Sequence, residues 1–575
     1  MQRRFREHDL RAVTDLDGVW DFAYLGDVDP DTVNVAEIAF PDRMAVPGCF
    51  DATPAYAGKR GLVAYRRGLV FQDAVPHRLI LGGVHHWCRV FVDGEPVADH
   101  AGGFTRFAVD LPKPRAGESD LVVLVDNRFD YTRSPLHLEY FDWYHYGGIA
   151  GGAEFHRLGE HWIDALQVET ASIEPPALYL RLTFGAVAAP GATALVVTLE
   201  GREILSETVA LDEARGLIAR TIAVPDVLLW SPAAPNLHTL HVRLGDDDLR
   251  TRIGLRIIET RDQQILINGD PVRLLGFNRH AAHPQFGHAV PEMVRVADIQ
   301  QLQDMGANFV RGSHYPQAPG FLDLCDEAGI LVWSEAIGWQ HMSEHLTDPH
   351  FVEAQLAHID EMVADAYNHP SVIMWGILNE SHSHDAACRP GYEALLGRLR
   401  DLDATRPITY ASNHPFEDLC LDLVDIVSVN CYPGWYGSEI EKIPEEIDRI
   451  VAALDADGAG AQRDRLSQAD KPLIISEIGA GAIYGWRDWN AARWSEQYQA
   501  ALLEMVIYHL FRSSTRFAGL AIWQFCDIRS SEMVQKILGR PKGFNNKGVV
   551  DAYRRPKQAY ETVKRAFAAL RETEI

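Results

Sequence analysis

The chain has 575 residues, too many for one hydrophobic core, so roughly three to four domains are expected. Its 47% apolar and 23% charged content is that of an ordinary soluble globular protein. The net charge of −26 argues against nucleic acid and anionic membranes as partners, and an acidic substrate would have to find positive charge locally at its site.

The amino terminus, MQRRFREHDLRAVTDLDG, is basic but has no apolar stretch, so it does not read as a secretory signal. No run approaches the roughly 18–20 apolar residues that cross a bilayer. Short alternating runs follow, HRLILGGV, WCRVFVDGEPVADH and LVVLVDNRF, punctuated by turn residues. They predict an antiparallel β-sandwich of jelly-roll type over 1–162. ALYLRLTFG, TALVVTLEG and HTLHVRLG repeat the style and predict a second, smaller, immunoglobulin-like β-sandwich over 163–258. From about 260 the pattern changes, and apolar strands alternate with helical stretches such as FVEAQLAHIDEMVADAYN. The strands are expected at 274–280, 308–316, 330–336, 372–380, 407–412, 425–432, 473–479 and 520–527. That order predicts a (β/α)8 TIM barrel over 259–575, with its site at the carboxyl ends of the strands. Seven cysteines, an odd number without CxxC spacing, fit reduced thiols of a cytoplasmic protein better than a disulfide framework or a zinc site.

Two glutamates stand out. Glu380 closes the apolar run SVIMWGILNE, and Glu477 sits late in KPLIISEIGA. Both runs read as strands buried on two faces. An unpaired carboxylate there costs several kcal/mol or shifts its pKa. The pair is either two ion-paired strand ends or the acid and nucleophile of a glycosidase.

The ordered set LDGVWDF (16–22), VPGCFD (46–51), VDGEPVADHAGGFTRF (92–107), GFNRH (276–280), NFVRGSHYP (308–316), WGILNE (375–380) and ISEIG (475–479) resembles glycoside hydrolase family 2. That is the family of β-galactosidases, β-glucuronidases and β-mannosidases, and the resemblance covers nearly the whole chain. It implies a retaining exo-glycosidase that needs no cofactor and no metal. Glu380 matches the general acid/base and Glu477 the nucleophile; Asn379 would bond the sugar 2-hydroxyl. NNKG (545–548) resembles the N-x-K-G loop of β-glucuronidases, in which Asn545 and Lys547 would grip the sugar carboxylate. VNCYPGWY (429–436) gives Tyr432, which would hydrogen-bond the nucleophile, and Tyr436, which would face the carboxylate. DWYHYGGI (142–149) resembles a first-domain loop that would carry Asp142 to a sugar hydroxyl. Trp523 would stack on the sugar, with His314 of SHYP and His280 of the R-H motif beside it.

Two places depart from the β-glucuronidase pattern. RHAAHP (279–284) has Ala281 and Ala282 where glucuronidases have Glu-Asp, and its His-Pro resembles the β-galactosidase form. Arg540 lies one residue further from the N-x-K loop than expected. Both bear on the sugar's C4 and carboxylate, so the C4 epimer stays open. The short segment IGWQHMSEHLTDPH suggests an open leaving-group side. The reading is a cytoplasmic β-D-glucuronidase, a homo-oligomer, acting on a small glycoside or an oligosaccharide end that carries a uronic acid. The alternatives are a β-D-galacturonidase, a β-D-galactosidase and, from another class, a carbohydrate-binding protein on a dead scaffold. Intact Asn379, Glu380 and Glu477 speak against the last.

Overall fold

The computed structural model describes residues 3–112, 115–138, 141–187, 191–211, 213–456, 467–530 and 539–572. The alternating runs at the start form two antiparallel sheets, one of four strands and one of six. In Phe107–Leu111 the alternation sends Val109 and Leu111 inward and leaves the aspartate between them exposed, as a half-buried strand requires. Phe22, Tyr65 and Val123 of one sheet share a core with Leu79, Val109 and Phe155 of the other. A second sandwich follows, with sheets of three and four strands around Leu180, Leu182, Val197, Leu240 and Val242.

The remainder winds into a closed barrel of eight parallel strands: Leu274–Asn278, Phe309–Gly312, Leu331–Glu335, Val372–Asn379, Ile408–Ser412, Val427–Asn430, Leu473–Ile478 and Phe517–Ile522. Closure is direct, since the first strand pairs with the eighth. All eight residues of the fourth strand are buried, because barrel strands face helices outside and packed side chains inside. A small three-stranded sheet from Ile258 to Val272 packs Ile258, Ile265 and Ile267 against the first residues of the strands, plugging the amino end of the barrel. The eighth strand starts and ends earlier than the sequence suggested, so Trp523 follows it instead of lying within it.

The first residues act as a strap over all three units. Arg3 pairs with Asp323 at 2.9 Å, on the barrel helix Pro319–Ala328. The backbone amides of Asp9, Leu10 and Arg11 donate to the Asp248 carboxylate at 2.7, 2.8 and 3.1 Å, in the second sandwich. The Arg11 guanidinium meets Asp247 at 2.9 Å. Ala12–Asp15 then joins a sheet of the first sandwich beside Ala153–Arg157. Among the described residues no helix is long and apolar enough to cross a membrane.

Candidate active site

The carboxyl ends of the barrel strands bring charged groups together. Arg311, on the second strand, is fully buried and is the hub. Its Nε and NH2 donate to Glu335 at 2.8 and 3.0 Å, its NH1 to Glu477 at 2.9 Å, and its NH2 also to the Asn379 Oδ1 at 2.8 Å. The other oxygen of Glu477 accepts from the Tyr432 hydroxyl at 2.6 Å. Both oxygens of Glu477 are therefore aimed by fixed donors.

Glu380 is held differently, by neutral amides. Asn430 Nδ2 donates to one of its oxygens at 3.0 Å and Gln340 Nε2 to the other at 2.9 Å. Asn430 also donates to Asn379 Oδ1 at 2.9 Å and is oriented by Ser476, whose hydroxyl donates to Asn430 Oδ1 at 2.7 Å. Two donors thus fix the Asn379 oxygen, and its Nδ2 is left with no protein acceptor among the described residues. Leu378, Glu380 and Gln340 take φ of 37°, 50° and 52°. A left-handed backbone at a non-glycine residue costs about 1–3 kcal/mol, and here three such residues cluster at the bond that points Glu380 into the cleft.

Electrostatics follow from burial. Burial, and after it the neighbouring Glu380, pushes the Glu477 carboxyl up to about 8, against the pull of Arg311 and Tyr432. Burial likewise raises Glu335 to about 7, against Arg311. His314 is held well below the ordinary imidazole value by burial and by Arg311. Burial thus biases Glu477 and Glu335 toward keeping a proton, and Arg311 opposes it at both.

A cleft of about 1160 Å³ opens above this floor. Glu380, Glu477, Tyr432, Tyr436, Lys547, Asp142, His314 and Trp523 all line it. Lys547 is buried, and its Nζ donates to the Tyr436 hydroxyl at 2.9 Å. The rings of Tyr432, Trp435 and Tyr436 surround it at 5.6, 5.9 and 5.1 Å. No ion pair joins it to a carboxylate among the described residues. Its loop is clipped from below by Lys557, which donates to Asp527 at 2.7 Å and to the Asn546 carbonyl at 3.0 Å. Asp142 arrives from the first sandwich and pairs with the Arg540 guanidinium. The arginine displaced in sequence is therefore present at the rim. His314 stacks on Trp523 with ring centres 5.1 Å apart.

Three of the expected site residues sit back from the cleft surface. Asn545 does not line the cleft: its Nδ2 donates to Asp142 at 2.9 Å and its Oδ1 accepts from the Lys547 backbone, so it braces the rim. His280 is packed behind the wall, sharing a 3.2 Å hydrogen bond with the Tyr315 hydroxyl and standing edge-on to Trp523. Asn379 lies under the floor rather than on it. Sequence reasoning missed Arg311, Glu335, Asn430 and Gln340. Glu335 carried the same signal as the two chosen glutamates, a carboxylate closing a buried strand. Arg311, Asn430 and Gln340 stood inside runs already singled out, but nothing in those runs marked them individually. Among the described residues, none of the four groups of His and Asp whose ligand atoms converge as for a metal includes a cleft residue.

Residues 258–571 match the family model for the glycosyl hydrolases family 2 TIM barrel domain. A β-glucuronidase of Streptococcus agalactiae is 28% identical, with 97% of each chain covered. The crystal structure of a family 2 β-galacturonidase from Eisenbergiella tayi bound to galacturonate superposes with a TM-score of 0.90 at 34% identity, covering 99% of each chain. A β-glucuronidase of an uncultured Clostridium superposes with a TM-score of 0.84 at 26% identity, again over 99% of each chain. Barrel, carboxylate pair and these likenesses agree, and the chain belongs to family 2 of the glycosyl hydrolases, as a glycosidase similar to the β-glucuronidases.

Proposed function

We propose that this protein is an exo-acting, retaining β-uronidase that removes a terminal β-linked hexuronic acid from a small glycoside or an oligosaccharide end. The observation that carries the proposal is Lys547. In a chain of net charge −26, a buried cation faces the cleft with a tyrosine hydroxyl and three aromatic rings around it and no described carboxylate paired to it. A sugar carboxylate supplies the missing counter-charge.

In the first step the ionised Glu477 attacks the anomeric carbon while Glu380 gives its proton to the departing glycosidic oxygen. In the second, Glu380 takes a proton from water, which displaces Glu477 from the anomeric carbon. The surroundings support this division. Arg311 and Tyr432 draw Glu477 toward its charged form, against burial and the nearby Glu380, and Glu380 itself is aimed by the amide donors of Asn430 and Gln340. Seven unpaired, buried cysteines suit a reducing, cytoplasmic setting.

The first reading of the sugar is glucuronate, the substrate in the names of the curated relatives. A second reading, galacturonate, is favoured by the higher identity to the Eisenbergiella tayi β-galacturonidase and by Ala281 and Ala282 in place of Glu-Asp. Initial rates on aryl β-D-glucuronide, β-D-galacturonide and β-D-galactoside, measured side by side, test both. Preference for either uronide upholds the proposal and names the epimer; preference for the neutral galactoside overturns it.

A further inference from the structure

Behind the loop that carries Asp142 and Trp143 lies a cluster of histidines that the glycosidase reading does not use. His86 sits between two strands of the first sandwich, His137 closes the turn after Ser134, and His145 follows Trp143 by two residues. All three are buried. One nitrogen from each converges, and the three lie within 4.8 Å of one another. We propose that His86, His137 and His145 form a binding site for a divalent transition-metal ion of the zinc class, which fastens the Asp142–Trp143 loop to the first sandwich.

Three observations carry this. Both ring nitrogens of His86 and of His145, and the Nε2 of His137, are buried without a hydrogen-bond partner among the described residues. Each such orphan costs about 1–3 kcal/mol, and a metal ion takes up one lone pair from each ring. The ring centres lie 4.3, 5.4 and 5.4 Å apart. Imidazoles around one tetrahedral ion stand roughly 5 Å apart, with nitrogens roughly 3.4 Å apart, close to the spacing of these three rings. The remaining His137 nitrogen, Nδ1, shares a 2.6 Å hydrogen bond with the Ser134 hydroxyl, the outer contact that orients a metal-bound imidazole.

A set of neutral imidazoles selects zinc, copper, cobalt or nickel over magnesium or calcium. One cation lies close: Arg60 donates to the His145 carbonyl at 2.6 Å, and Asp51, 4.0 Å away, balances its charge. The other converging groups are weaker candidates, because their carboxylates are already taken: Asp247 by Arg11, Asp248 by three backbone amides, Asp323 by Arg3.

The test uses the full chain, incubated with excess zinc chloride, desalted and assayed for bound metal. Wild type should retain one zinc per chain, its thermal midpoint should rise with zinc and fall with a chelator, and cobalt loading should give the visible absorption of a low-coordinate ion. His145→Phe and His137→Ala should each weaken zinc binding by at least the roughly 10- to 100-fold that loss of even an outer partner costs. His241→Ala, in a competing group, should leave it unchanged. Absence of retained zinc in the wild type, or retention undiminished in His145→Phe, overturns the proposal. Neither readout involves glycoside turnover, so failure here leaves the uronidase reading untouched.

Discussion

Replacing Lys547 with methionine removes a charge while keeping most of the side chain's volume. The rings of Tyr432, Trp435 and Tyr436, 5.1–5.9 Å from the ammonium, retain an apolar partner. The variant should therefore fold, with a thermal midpoint close to that of the wild type. Lys547 is only 3% exposed, so a bond from it to a substrate carboxylate is poorly screened. A charge-assisted hydrogen bond of this kind is worth about 1.5–3 kcal/mol. At about 1.4 kcal/mol per tenfold, Lys547→Met should lower kcat/KM on an aryl β-uronide by roughly 10- to 150-fold. On the neutral β-galactoside the same variant should lose less than about threefold or gain slightly, since no carboxylate is there to miss the cation and a desolvation cost has gone. Rates on both substrates with one enzyme preparation separate the cases. Equal losses on the two would refute the reasoning, because damage to the loop rather than loss of a carboxylate partner would explain them.

The two glutamates should fail in different ways. Glu477→Ala should abolish turnover of every glycoside, whereas Glu380→Ala should still be glycosylated by substrates with very good leaving groups and be rescued by azide; near-normal rates in Glu477→Ala would exclude it as nucleophile. The first-formed sugar should be the β-anomer by NMR, and an α-anomer would rule out double displacement. Glu335 titrates near 7 in the fold against 4.5 in the unfolded chain, so its stabilising contribution is complete below 4.5 and lost as pH rises through 7. Glu335→Gln should accordingly gain stability relative to wild type between pH 5 and pH 8, by the order of 1–3 kcal/mol in thermal or denaturant unfolding; a difference that stays constant with pH would contradict the shift. Asp248→Ala should cost roughly 2–4 kcal/mol, since it orphans three backbone amides and the 2.8 Å contact to His241 while water reaches the exposed Asp9 and Leu10; an unchanged denaturation midpoint would show that the strap carries no stability.

The barrel was legible because its strands are unbroken apolar runs: Val372–Asn379 and Leu473–Ile478 cannot be half-exposed strands, and their helical partners supply the second period. The same property exposed Glu380 and Glu477, charged residues where burial is otherwise total. What stayed hidden is direction. Asn545 and Lys547 are two residues apart, yet one amide turns to Asp142 while the ammonium turns to the cleft; a tripeptide does not encode that choice. His280 and His314 both follow strand ends, and only packing against Tyr315 decides that the first is sealed away. Arg540 looked displaced by one residue, but a loop absorbs such a shift and the guanidinium still reaches Asp142. Gln340 reaches Glu380 through a left-handed backbone at a residue with no turn signature, which no pattern of hydropathy carries.

The strap at the start of the chain sets an order on biosynthesis. Its partners, Asp248 and Asp323, lie 237–320 residues downstream of the groups that bind them. At the roughly 5–20 residues per second of translation, the first eleven residues emerge some ten seconds to a minute before any of those carboxylates exists. Until then Arg3 and Arg11 lack their partners Asp323 and Asp247. The segment is thus a latch that shuts only when the second sandwich and the second barrel helix have both been made, and accessibility of the first residues to a protease or a labelling reagent becomes a clock for maturation of the whole molecule.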